Sequence, residues 1–182
     1  MGLLDLFKPR KLPPPKIEEL FKLPPASVAM EQLSVHATGK AGVCFRSTGD
    51  RSFGQMEGDI VNILENHAFY ARYGVSKDEY GFTWVVIDGD TLQDAVANVY
   101  VASQLLIEGG FSDHILAAIF RFDKDGQPIY WIYNYRRASF YPFAPRGNER
   151  DPQLEYRLRL LAMDELPVDS LDYWFPIWGI PY

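Results

Sequence analysis

Ile115-Leu116-Ala117-Ala118-Ile119-Phe120-Arg121-Phe122-Asp123-Lys124-Asp125-Gly126-Gln127-Pro128-Ile129-Tyr130-Trp131-Ile132-Tyr133-Asn134-Tyr135 reads as a β-hairpin. Two apolar runs, Ile115–Phe122 and Pro128–Tyr135, flank a polar stretch whose Asp-Gly pair suits the positive φ angles of a tight turn. Side chains alternate across a strand, so Tyr130, Ile132 and Asn134 face away from Trp131, Tyr133 and Tyr135. Both sets are largely apolar. The second strand is therefore expected inside the sheet, or with its outer face covered.

Upstream, Leu92, Ala95, Val96, Val99, Ala102 and Leu106 repeat at helical spacing behind an Asp90 or Thr91 cap, and Gly109-Gly110 ends that helix. Lys40–Ser47, Phe69–Ser76 and Phe82–Asp88 alternate as strands, the last two joined by a turn over residues 77–81. Ser52 and Gln55 form a capping box ahead of Phe53, Met56, Ile60, Ile63 and Leu64. Two short helical patterns over residues 16–33 are separated by Pro24-Pro25. Residues 151–163 fit two readings: Leu154, Leu158 and Leu161 keep helical spacing, while Leu154, Tyr156, Leu158 and Leu160 alternate as in a strand. Pro152 behind Asp151 favours the helix. The expected order is α-β-α-β-β-α-β-β-α: an α+β protein with a mixed or antiparallel sheet of about five strands and helices packed on it. Residues 1–15 form an arm with the Pro13-Pro14-Pro15 spacer, and residues 16–182 are expected to be one domain.

The 182-residue chain carries a net charge of −6, which argues against a general nucleic-acid binder. Its single cysteine, Cys44, suits a reducing, cytoplasmic compartment. No apolar run approaches the roughly 20 residues of a spanning helix, and the start lacks the order of a signal peptide. His36, His67 and His114 lack metal-ligand spacing, so neither a metal nor another cofactor is expected. Cys44 sits between Val43 and Phe45 and reads as a packed small hydrophobe, with a Cys-His nucleophile as the remote alternative. Gly39-Lys40-Ala41-Gly42 and Gly109-Gly110 match neither phosphate-loop fingerprint. Asp123 and Asp125 read as turn formers, not calcium ligands. No catalytic residue is assigned.

The unabsorbed features are aromatic, proline-rich and cationic. Phe140-Tyr141-Pro142-Phe143-Ala144-Pro145 follows Arg136-Arg137, and residues 172–182 read Asp-Tyr-Trp-Phe-Pro-Ile-Trp-Gly-Ile-Pro-Tyr. Arg136, Arg137, Phe140, Tyr141, Phe143, Trp174, Phe175 and Trp178 are the candidate partner-binding residues, since arginine beside aromatics recognises acidic segments. The competing reading folds residues 172–182 back over a Phe140–Pro145 loop as a satellite cluster; the two are compatible if Trp174 is buried and Trp178 presented. Leu3, Leu4, Leu6 and Phe7, followed by Lys8, Arg10 and Lys11, are candidate membrane-surface contacts of weak affinity.

Leu20-Phe21-Lys22-Leu23-Pro24, Gly42-Val43-Cys44-Phe45, Tyr80-Gly81-Phe82-Thr83-Trp84, Ser139-Phe140-Tyr141-Pro142-Phe143-Ala144-Pro145 and the Trp174–Pro181 run occur in this order. Over nearly its full length the chain resembles the PspA-associated protein PspAB family of archaea and actinobacteria. The resemblance implies an accessory role in envelope stress, beside the membrane-stress protein PspA and the membrane metalloprotease HtpX. It carries over no catalytic residue. The core layout is similar to secretion-chaperone-like modules, from which the added helix before the third strand departs. Three functions are in play: a non-enzymatic interaction protein with a PspA-like or HtpX-like partner at the inner face of the membrane, a small peptide- or ligand-binding chaperone with a pocket between sheet and helices, and, remotely, a hydrolase using Cys44.

Overall fold

The computed structural model describes residues 15–46, positions 54, 55, 58, 60–62 and 66 as helical, and residues 71–182. Six strands form one antiparallel sheet: β1 (His36–Arg46), β2 (Ala71–Lys77), β3 (Phe82–Gly89), β4 (Ile115–Lys124), β5 (Gln127–Asn134) and β6 (Ser139–Phe143), in the order β2-β3-β1-β4-β5-β6. β7 (Pro145–Arg146) and β8 (Glu149–Arg150) make a small separate ribbon. The helices are α1 (Leu23–Met30), α2 (Leu92–Glu108) and α3 (Pro152–Ala162), with short 3-10 turns at Ile17–Lys22, Glu31–Leu33, Ser112–His114 and Leu171–Tyr173. Leu3, Leu4, Leu6 and Phe7 lie outside the described residues, as does most of the helix expected behind Ser52.

Local chemistry sets the hairpin and the helix starts. The β4–β5 loop is Asp125-Gly126, with φ of 52° and 83°, and the Asp123 carboxylate accepts from the Gly126 N–H at 2.8 Å. Thr91 and Asp94 cap α2 reciprocally: the Asp94 N–H donates to Thr91 Oγ1 and the Thr91 N–H to the Asp94 carboxylate, both at 3.1 Å. Asp151 accepts from the Leu154 N–H at 3.0 Å, so residues 152–162 are helical and not extended.

The sheet has six strands where five were expected, because the aromatic-proline run is a strand and not a loop. The N–H and C=O of Phe140 point away from β5 and bond the Pro167 carbonyl and the Asp169 N–H, each at 2.8 Å. Alternation gives Pro142 the same outward orientation, where its missing N–H removes no rung between β5 and β6. β1 likewise starts at His36, four residues before Lys40. Its pairing with β4 jumps from Ala37↔Phe122 to Ala41↔Phe120, a bulge centred on Gly39 (φ 75°). A Cβ at Gly39 would lie 2.1 Å from the Gly89 carbonyl oxygen, so the bulge nests against the end of β3 only without a side chain.

The two sheet faces are covered differently. On one, Val43, Phe45, Val85, Phe120, Trp131 and Phe140 pack under the helices, with Leu20, Met30, Val99 and Leu158 among the facing residues. On the other, Cys44, Trp84, Ile119, Tyr130, Ile132 and Phe143 lie under residues 174–182. An irregular segment thus takes the place of a second helical layer.

Candidate functional site

The 172–182 segment is pinned at both ends. Near its start, Asp169 accepts from the Arg137 guanidinium through both oxygens and from Ser139 Oγ at 2.8 Å, while Trp174 Nε1 donates to the Asp169 carbonyl at 3.1 Å. At its far end, the Tyr182 hydroxyl donates to the Ile119 carbonyl at 2.8 Å. Burial pushes the Tyr182 phenol well above its ordinary pKa, which keeps it a neutral donor. The ring is admitted by Gly42, where a Cβ would stand 2.9 Å from Tyr182 Cε1. Residues 39 and 42, glycines that suggested no chemistry, thus serve close packing, Gly39 against the end of β3 and Gly42 against the Tyr182 ring.

This geometry sorts the candidate residues. Phe140, Tyr141 and Phe143 are core, enclosed on the two faces of β6, and Trp174 is buried beneath its own segment. Arg137 is committed internally to Asp169, with its guanidinium carbon 3.4 Å above the centre of the Tyr173 ring. Arg136 is exposed at the β5–β6 turn. Phe175 (59% exposed) and Trp178 (39%) remain at the surface, Trp178 edge-on to Phe143 at 5.1 Å. The segment therefore reaches beyond β6, across the face to β4.

Burial pushes the Asp169 carboxyl upward, but the bonds from Arg137 and Ser139 outweigh it and hold the group below the ordinary aspartate range. A lowered folded-state pKa stabilises the fold above the unfolded value near 3.9, and this contribution fades as pH falls through the folded value. Asp169→Asn should accordingly be less stable than wild type at pH 7. The gap should narrow as pH falls below about 4, as read by urea unfolding at both pH values; a gap independent of pH would contradict the assignment.

Sequence reasoning missed a neighbouring surface. Tyr156, Leu160 and Met163 lie at i, i+4 and i+7 on the outer side of α3 and are exposed, while Leu154, Leu158 and Ala162 face the core. Leu171 and Tyr173, beyond α3, are also exposed. Between them lies a cleft of about 700 Å³ lined by Pro152, Tyr156, Arg157, Leu171 and Trp174. Arg157 makes no ion pair among the described residues, whereas Arg150 is held by the buried Glu155 at 2.8 Å. The available signal was the double pattern in residues 154–163, which is that of a helix carrying a second apolar stripe.

Cys44 does not form a nucleophile pair with either described histidine. Burial, reinforced by the Asp78 charge, pushes its thiol up to about 12. His36 is at the far end of β1, paired with Asp123. His114 lies against Phe111, ring centres 6.1 Å apart and tilted by 57°, and Phe111 packs on the helical side of the sheet, whereas Cys44 faces the 172–182 segment. His67 lies outside the described residues. Among the described residues no group of three His, Cys, Asp or Glu side chains is placed to hold a metal ion, and no helix is long and apolar enough to cross a membrane.

No curated protein and no solved structure matches the chain. The family model described as PspAB, PspA associated protein B, matches residues 1–182, the whole sequence. The features quoted from its two ends and its middle therefore have one explanation: the chain belongs to the PspAB family of PspA-associated proteins.

Proposed function

We propose that this protein is a non-enzymatic accessory factor of a PspA-type membrane stress response, acting in the cytoplasm at the inner face of the membrane. Its partner surface is the outer side of α3 together with residues 171–178. The observation that carries this reading is the cleft that brings Tyr156, from the exposed α3 stripe it shares with Leu160 and Met163, to the exposed Leu171, next to Arg157, which makes no ion pair among the described residues. An exposed apolar cleft flanked by such a stripe marks a protein contact, and the guanidinium favours an acidic rim on the partner. Family membership supports PspA as that partner; HtpX is the second candidate.

The chaperone alternative, with a pocket between sheet and helices, draws less support, because the described residues on that side of the sheet are closely packed. A capture experiment separates the readings. Immobilised protein is expected to retain purified PspA, and Leu160→Glu with Phe175→Glu, both exposed positions, should reduce retention by about tenfold or more. Equal retention by the variant and wild type would reject this surface. A parallel arm with detergent-solubilised HtpX tests the second partner.

A further inference from the structure

A second cleft, of about 280 Å³, opens on the opposite side of the sheet from the helices, where the β2–β3 turn meets the 172–182 segment. Tyr80, Phe82, Trp84 and Trp178 line it, with the Asp78 carboxylate among them. We propose that this cleft binds an alkylammonium group.

Asp78 is held in place by its own turn. Its Oδ1 accepts from the N–H groups of Tyr80 at 3.0 Å and Phe82 at 2.9 Å, and its Oδ2 from Trp84 Nε1 at 2.9 Å. All three donors are neutral, and no cation pairs with this carboxylate among the described residues. Its charge reaches into the cleft, since it contributes to the rise of the Cys44 thiol on the same wall.

Electrostatics then discriminate between ligand classes. A neutral apolar ligand would cover the carboxylate and leave its charge, held by neutral donors alone, without a counter-charge. An anion would be repelled. An alkylammonium group places its alkyl shell against the rings and its charge beside Asp78, so both halves of the lining are used. The volume limits the ligand to a small head group or the end of one side chain.

The test is a titration of the full chain, following the Trp84 indole N–H resonance by NMR. Tetramethylammonium stands for quaternary groups and butylammonium for a lysine side chain. Saturating shifts are expected with at least one of them, and whichever binds more tightly identifies the source. 3,3-Dimethylbutan-1-ol, a neutral counterpart of choline, should bind about tenfold more weakly or worse. Asp78→Asn keeps an oxygen for the turn N–H groups and should lose most of the affinity, and Tyr80→Ala, at an exposed ring, should weaken it without unfolding the chain. Equal binding of the neutral compound, no response to either cation, or unchanged affinity in both variants would overturn the proposal.

Discussion

Gly39→Ala is expected to destabilise the protein by about 3 kcal/mol, and so to lower its melting temperature by roughly 10 °C for a chain of this size. Two separate effects add. At φ 75° any side chain meets the penalty of the left-handed region, about 1–2 kcal/mol. The new Cβ would also stand 2.1 Å from the Gly89 carbonyl oxygen. That neighbour is backbone, so relief requires the β1 bulge to part from β3, at a further cost of about 1–3 kcal/mol. Gly126→Ala is the control: its φ is 83°, but nothing lies within 4 Å of the new atom, so only the first penalty, about 1 kcal/mol, applies. Thermal unfolding of the two variants beside wild type checks both; similar losses would show that the β1–β3 contact carries no strain.

What could be read from the sequence was local. The turn at residues 123–127 and the Asp90 or Thr91 cap rest on residues a few positions apart, and the hairpin and α2 fall where those signals place them. What could not be read depends on partners far along the chain. Pro142 looks like a loop residue until β5 lies on one side of it and the Pro167–Asp169 stretch continues the outer edge. Gly42 suggests nothing until Tyr182 arrives against it from 140 positions away. The same limit applied to the candidate surface. Phe140, Tyr141 and Phe143 have the composition of a contact patch, but β6 places them in the core. In α3 the opposite happened: the outer stripe was visible as an ambiguity between helix and strand, and exposure turned the ambiguity into a surface.

The Arg150–Glu155 pair ties that surface to the rest of the fold, and Glu155→Ala should be among the most damaging single changes. The Glu155 carboxylate is buried and accepts from two groups: the Ala144 N–H at 2.9 Å, just beyond β6, and the Arg150 guanidinium at 3.0 and 3.1 Å. Arg150 in turn donates to the Trp174 carbonyl at 2.5 Å, so one carboxylate links β6, α3 and the 172–182 segment. Removing it leaves a largely enclosed cation and a buried N–H without an acceptor, for an expected loss of about 3–5 kcal/mol. Glu155→Gln keeps an oxygen for those donors but no charge, and should lose clearly less. Urea unfolding would rank wild type above Gln and Gln above Ala, and the freed Trp174 should shift the tryptophan emission of the folded Ala variant to longer wavelength. An Ala variant within about 1 kcal/mol of wild type would show that the pair's attraction only offsets its desolvation. The 172–182 segment would then be held by Tyr182, Asp169 and its apolar contacts alone.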